Sequence, residues 1–383
     1  MRDVLVIGGG VIGCAVAYEL ARRGCRVRLV ADRALAQGAT QASGGMLVPY
    51  VEAEGGPMLD LSVRSLGAYD QFVDCVRRDA EQEEIFEYAR RGSLQVALRG
   101  DPAGRFVSPS PVVMQSAARE LAALGARAEW LDEPDLRSLE PHIGEDALGA
   151  LYVRDHGVVS AEGLTGALWA AASAHGATFT PGRVTRIHRS ADGCGVEASG
   201  RELSADVVVL AAGAWSGRID IEGSQHPPVF PVRGQLLRLR WPGPPLERIL
   251  WGPRCYVIPW SDGRVLVGAT VEHVGFDERN TTAGVRDLLE AMADLLPQGW
   301  QASFEEARAG LRPGTPDDRP IIGRARSMPG LVYATGHYRN GVLLAPVTAQ
   351  LVADLVVDGR EDDLLRLFSP DRFGGHDGHV ERD

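Results

Sequence analysis

Residues 4–13 constrain the fold more than any other stretch of the chain. Val4-Leu5-Val6-Ile7 is an unbroken apolar run, as expected of a parallel strand buried on both faces. Gly8-Gly9-Gly10 ends it. Val11, Ile12, Ala15, Val16 and Leu20 then recur at helical spacing up to Gly24, a residue suited to the position after a helix. Gly8, Gly10 and Gly13 thus stand in the order Gly-x-Gly-x-x-Gly between a buried strand and a helix. In that context the three glycines permit a tight turn, close approach of a pyrophosphate, and close packing of helix on strand. The first-turn N–H groups and the helix dipole favour phosphate at that helix end. The motif reads as a dinucleotide-binding α/β fold.

Such a fold calls for an acid at the end of its second strand, where it can bind a ribose. Val27–Ala31 reads as that strand, with Asp32 one residue past its end. A shift of one residue reverses the direction of a strand side chain. Asp32 reaches a ribose if the strand has already ended; otherwise it is a solvated loop aspartate. Arg33 is either a surface residue or a contact for the adenosine moiety. Residues 38–48 are small, polar and glycine-bearing, forming a loop whose backbone can approach a ligand closely.

Further along, a helix is expected over 62–80, a strand at Leu94–Leu98 and a helix near 112–124. Ser160 begins a capped helix running to about His175. Val184–Arg189 and Val207–Leu210 read as strands, the latter running into Ala211-Ala212-Gly213. Val229–Leu239 alternates, and Tyr256–Pro259 and Val265–Ala269 flank Ser261-Asp262-Gly263, a hairpin signal. A helix follows at 282–295. Leu331–Thr335 is a strand again, followed by a turn and a helix from about Val342 to Val357. Segments of nucleotide-binding style at 1–80, 145–225 and 310–373 alternate with mixed segments at 81–144 and 226–309. The expected architecture is therefore α/β, with a discontinuous Rossmann-like domain and an interleaved α+β domain built on an antiparallel sheet. Residues 374–383 are polar and glycine-rich and read as a flexible tail.

Composition excludes several chemistries. The chain has 383 residues, and its 40 basic residues are all arginine. Without lysine there is no pyridoxal-phosphate Schiff base, no lysine nucleophile and no Gly-Lys-Ser/Thr phosphate loop. Fixed positive charge in a site must come from arginine, protonated histidine, a metal or a helix N-terminus. The net charge of −11 argues against nucleic acid and anionic membranes as partners. Cys14, Cys25, Cys75, Cys194 and Cys255 are odd in number and contain no Cys-x-x-Cys, which suits free thiols in a reducing compartment and no metal site. No signal sequence is apparent, and no apolar run is read as reaching the roughly 18 residues a bilayer requires. A soluble cytoplasmic protein is expected.

Val207 to Ser216, a strand entering a small-residue turn, and Gly336-His337 after a third such strand join the opening motif. Together they resemble the D-amino-acid oxidase superfamily of FAD-dependent oxidoreductases. The last third narrows the likeness. Arg254-Cys255-Tyr256-Val257-Ile258-Pro259, Arg264 to Thr270, Gly310-Leu311-Arg312-Pro313-Gly314-Thr315-Pro316 and Gly336-His337-Tyr338-Arg339-Asn340-Gly341-Val342-Leu343-Leu344-Ala345-Pro346 resemble the glycine oxidases of thiamine biosynthesis. The likeness covers almost the full length and is loosest over 50–145.

The resemblance implies FAD-dependent oxidation of glycine, sarcosine or small D-amino acids to an imine. Electrons pass to molecular oxygen, giving hydrogen peroxide, and the imine is hydrolysed or used in thiazole synthesis. It implies a homo-oligomer. It implies FAD contacts from Gly8, Gly10, Val11, Ile12, Gly13, Asp32, Arg33, Thr40, Gln41, Ser43, Gly45, Met46, Val184, Gly213, Trp215, Arg312, His337, Arg339, Asn340, Gly341, Val342 and Leu343. Arg312 matches the arginine that binds the substrate carboxylate, a role suited to a planar guanidinium. Tyr256 matches a pocket tyrosine on the same carboxylate, and Arg339 a position near flavin and substrate. Arg254 is placed beside the substrate. The helix N-terminus at Asn340–Leu343 would face the flavin's pyrimidine end, where its dipole favours negative charge. No side-chain base is required, and His337 is read as structural or cofactor-contacting.

The chain also departs from its relatives. It has no lysine for oxygen activation. It has no cysteine beyond Cys255 for covalent attachment, so FAD is expected to be non-covalent. Arg254 and Val271 replace residues usual in the family and bear on substrate size and charge. Two alternatives remain open: a dehydrogenase that passes electrons to a quinone, and a non-catalytic flavoprotein subunit.

Overall fold

Strand Asp3–Ile7 is the centre of a six-stranded sheet, and Val4, Leu5 and Val6 are fully buried there. It pairs in parallel with Arg26–Ala31 on one side and Val207–Leu210 on the other. Thr178–Pro181 extends the first side and Met328–Thr335 the second, both in parallel. Ile321–Ala325 closes the far edge antiparallel to Met328–Thr335. Early, middle and late segments thus build one sheet. The computed structural model describes residues 1–52, 56–81, 86–100, 104, 106–190, 193–223 and 226–373. The expected tail at 374–383 lies outside the described residues.

Helix Val11–Arg22 lies between this sheet and the helices Ala161–Ala174 and Gly341–Ala353, which is why nearly every residue in it is buried. It ends as its sequence suggests. Gly24 takes φ +82°, Cys25 N–H donates to Leu20 C=O at 3.0 Å and Gly24 N–H to Ala21 C=O at 2.9 Å. That is a Schellman end, and its left-handed residue is glycine. Ser160 caps its helix through Oγ, which accepts from Gly163 N–H at 3.3 Å.

A second sheet of eight strands carries the other large core. Its order runs Ser303–Gly314, Phe230–Arg240, Arg264–Gly268, Tyr256–Pro259, Ile249–Trp251, Ser93–Leu98, Ala147–Val153, Ala128–Asp132. The hairpin expected around Ser261-Asp262-Gly263 is present, with Gly263 at φ +81°. Strand Ala147–Val153 pairs here and not in the six-stranded sheet. The division expected at residue 145 falls before this strand, whereas the strand's pairing puts it with the eight-stranded sheet. Helix Thr282–Leu295, capped by Thr281 Oγ1, packs Leu288, Met292 and Leu295 into the same core.

One expectation is corrected. Gly341–Asp358 is an 18-residue helical stretch long and apolar enough to cross a bilayer. Most of it is buried against helices Val11–Arg22 and Gly56–Asp79, so its apolar character is satisfied by the protein core. Polar Gln350 and Asp354 interrupt the run in the sequence; Gln350 is exposed, and buried Asp354 pairs with Arg23 at 2.6 Å.

Candidate active site

A cavity of about 500 Å³ is lined by residues of the six-stranded sheet and by Trp251, Tyr256, Gly268 and Arg312 of the eight-stranded sheet. Gly8 stands at φ +115° in its floor, and a Cβ there would lie 2.3 Å from Ala211 C=O. Gly13 does not line the cavity. A Cβ on it would stand 1.9 Å from Gly8 C=O, so it serves close packing of helix on strand. Gly10, Val11 and Ile12 present the helix N-terminus to the cavity. The Gly10 cap makes no side-chain hydrogen bond, and Val11 N–H is held by Thr40 Oγ1 at 3.1 Å. Donors left without a partner inside a helix end are suited to an anion.

Asp32 lines the cavity just past strand Arg26–Ala31 and is exposed, which meets the condition that the strand has ended. Arg33 is not simply solvated. Its guanidinium pairs with Glu278 at 2.8 Å and lies 4.3 Å from the Trp215 ring centroid. Thr40, Ser43, Gly45, Met46, Val184, Gly213 and Trp215 all line the cavity. Gln41 does not; its carbonyl accepts from Arg308 Nη1 at 2.9 Å. Leu343, in the first turn of its helix, is also absent from the lining because its side chain packs in the core.

Arg312, on strand Ser303–Gly314, reaches across to the neighbouring strand. Its Nη1 donates to Thr270 C=O at 2.9 Å and to Arg233 C=O at 3.5 Å. Among the described residues no carboxylate forms an ion pair with it. Tyr256 stands across the cavity wall, half-buried, its ring 5.3 Å from that of Trp251. Arg339 is exposed and stacked on Tyr338, 5.1 Å from the ring centroid. Arg254 also lines the cavity, but its Nη1 pairs with Asp294 on helix Thr282–Leu295 at 2.9 Å. Arg254 thus lines the cavity while its Nη1 is tied by an ion pair to that helix. A partner forty positions away leaves no local trace in the sequence.

His337 is buried, and its Nε2 lies 3.0 Å from Thr348 Oγ1. Burial pushes its pKa down to about 3, so the ring is neutral near pH 7. After it, Asn340, Gly341 and Val342 open a second helix N-terminus onto the cavity. This helix contains Pro346, which removes the N–H that would bond Val342 C=O. Tyr69 Oη donates to that carbonyl at 2.8 Å instead. Ser65 Oγ donates to Leu343 C=O at 2.6 Å and accepts from Val347 N–H at 3.4 Å, inserting itself in the next rung. Helix Gly56–Asp79 thereby holds the turn that faces the cavity.

Arg183, Arg218, Gly44, Trp251 and Ala269 also line the cavity and were not singled out from sequence. The two arginines resemble many solvated ones in this chain. Trp251 sits on a three-residue strand too short to show alternation.

Two helix N-termini, a glycine turn and an arginine with no carboxylate partner among the described residues define the class: a dinucleotide-dependent oxidoreductase with an interleaved substrate-binding sheet. Donors for phosphate and apolar walls from Ile7, Val30, Val48 and Ala334 fit a cofactor that combines a pyrophosphate with a flat ring. A profile of the DAO family, FAD dependent oxidoreductase, matches residues 3–355, and the chain belongs to that family, with FAD as its cofactor. It is 36% identical to the bifunctional protein ThiO/ThiG of Synechocystis sp. over 97% of this chain, while spanning 54% of that relative's length. It is 33% identical to the glycine oxidase of Geobacillus kaustophilus over 92% of both chains. The crystal structure of glycine oxidase from that organism superposes with a TM-score of 0.89 at 32% identity, covering 98% of this chain and all of that one.

Proposed function

We propose that the protein catalyses FAD-dependent oxidative deamination of glycine, and also of sarcosine or small D-amino acids. The products are the imine or 2-oxo acid, ammonia and hydrogen peroxide, and the reaction serves thiamine thiazole synthesis. The observation that carries the reading is Arg312: a cation on the cavity wall whose hydrogen bonds go to two carbonyls and, among the described residues, to no carboxylate. A substrate carboxylate supplies the missing anion, held by the N–H groups that Nη1 does not use. Tyr256 adds a hydroxyl to the same carboxylate. Likeness to glycine oxidases over nearly the whole chain supports the substrate class.

FAD, when bound, supplies the two-electron oxidation. The glycine turn and Val11–Ile12 hold its pyrophosphate, and Asp32 its ribose. The Gly341 helix N-terminus provides positive potential without a lysine. Arg312 and Tyr256 orient the amino acid so that no side-chain base is needed. Cys255 lies in the lining, but burial pushes its thiol up to about 12, which keeps it unreactive and supports non-covalent FAD. The five free thiols support a cytoplasmic enzyme, and homo-oligomers belong to the same reading.

The test is anaerobic addition of glycine, sarcosine or D-alanine to the purified yellow protein. Loss of flavin colour is expected, with peroxide on admitting air and all flavin released by acid precipitation. No bleaching with any of the three sinks the reading. Bleaching without peroxide points to a dehydrogenase.

A further inference from the structure

Arg312 is aimed by a layer of polar side chains behind the cavity wall. Gln235 is fully buried and its amide is fully used. Oε1 accepts from Thr281 N–H at 2.7 Å, while Nε2 donates to Glu272 Oε1 at 2.8 Å and to Thr281 Oγ1 at 3.1 Å. Thr270 Oγ1 accepts from Gln235 N–H at 2.9 Å and donates to Glu272 Oε1 at 2.6 Å. Arg233, also buried, donates from its backbone to Glu272 C=O and pairs through Nη2 with Glu272 Oε2 at 2.5 Å. A second carboxylate, Asp277, lies 3.0 Å from Arg233 Nη1.

The consequence lies in what these groups pin. The carbonyls that receive Arg312 Nη1 belong to Thr270 and Arg233, and both residues are fastened to Glu272. Glu272 itself does not neutralise Arg312, because both its oxygens are taken by Thr270, Gln235 and Arg233. Burial opposes ionisation of Glu272, but those hydrogen bonds and the Arg233 charge outweigh it and hold the carboxyl down at about 2. The layer therefore holds the two carbonyls without pairing any carboxylate to Arg312 among the described residues. A long arginine side chain has rotamer entropy to lose when it binds, and fixing it beforehand improves affinity.

We propose that Glu272 and Gln235 are positioning residues for carboxylate recognition: through Thr270 and Arg233 they fix the carbonyls that aim Arg312 and so set the affinity of the site for a substrate carboxylate. The proposal rests on the reading that Arg312 binds that carboxylate. Neither residue lines the cavity, so neither acts on substrate directly.

The test uses holoenzymes of wild type, Glu272→Gln, Thr270→Val, Thr270→Ser and Arg312→Ala. Four quantities are measured: flavin per protein, Kd for acetate from the flavin spectrum, and kcat and KM for glycine. Acetate carries glycine's carboxylate but has no amine to be oxidised to an imine. Glu272→Gln and Thr270→Val should raise acetate Kd and glycine KM about tenfold, the size of one lost charged hydrogen bond, with kcat within about twofold. Thr270→Ser, which keeps the hydroxyl, should return both values toward wild type. If the first two bind FAD fully yet keep wild-type Kd and KM, or lose kcat at fixed KM, the proposal is overturned while Arg312 keeps its role. If Arg312→Ala leaves acetate Kd unchanged, the underlying reading fails and this inference with it. Should Glu272→Gln fold poorly, the Thr270 pair decides alone.

Discussion

The Arg312 guanidinium lies over Gly234 of the adjacent strand, so close that a Cβ built on Gly234 would stand 2.3 Å from Nη2. Only a residue without a side chain leaves that berth open. The contact is with the far end of a flexible arginine, so an added methyl should move the guanidinium before it disrupts the sheet. Gly234→Ala should therefore raise glycine KM by about tenfold or more while lowering the melting temperature only slightly. Steady-state kinetics beside a thermal melt check this. A wild-type KM in a folded variant would show that the guanidinium's place over Gly234 is unimportant.

Arg254 gives the opposite expectation. Its pairing with Asp294, with Glu290 Oε2 at 3.9 Å, satisfies its charge within the protein. Arg254→Gln should change glycine KM by less than about threefold, since no substrate contact is lost, and should loosen helix Thr282–Leu295 modestly. A KM rise as large as that of Arg312→Ala would return Arg254 to the substrate site.

These two arginines mark the limit of what the sequence discloses. The glycine motif, the Gly24 helix end, the Ser160 cap and the Gly263 hairpin are local, and short-range physics determines them within a few residues. Three neighbouring strands of the six-stranded sheet, at 4–7, 207–210 and 331–335, are equally visible as apolar runs. Arg312 was legible through the Arg-Pro-Gly-Thr sequence that resembles its family, although the structure makes Arg312 to Gly314 the end of a strand rather than a turn. Its berth over Gly234 was not, because strand register sets that contact across 78 positions. The same holds for Asp294 opposite Arg254 and for the direction of Gln41. Pairing across distant segments leaves no periodic trace in a single sequence.

The buried histidines predict a pH dependence of stability. His337 and His156 are both held down at about 3, in each case by burial. The unfolded chain takes up their protons near pH 6.5, so below that pH the unfolded state binds more protons than the native one. Their contribution is complete above about 6.5 and falls as pH drops toward 3, by about 1.4 kcal/mol per pH unit for each. Urea unfolding at pH 5.5 and 7 should show it. His156→Gln should flatten the slope by about one proton; an unchanged slope would mean that His156 is protonated in the native state.

The Tyr69 hydroxyl and Pro346 predict a coupled pair. Pro346 removes the helical donor for Val342 C=O, and Tyr69 Oη supplies another from a different helix. Tyr69→Phe alone leaves that buried carbonyl unsatisfied and should cost about 1–3 kcal/mol of stability. Pro346→Ala restores an N–H at the right place in the ladder. On that background Tyr69→Phe should cost much less, because the helix can satisfy its own carbonyl. Denaturant melts of the two single variants and the double variant measure the coupling. Equal costs on both backgrounds would show that the hydroxyl serves something other than the gap left by Pro346. Loss of flavin in Tyr69→Phe, recovered in the double variant, would place the same coupling at the helix end that faces the cofactor.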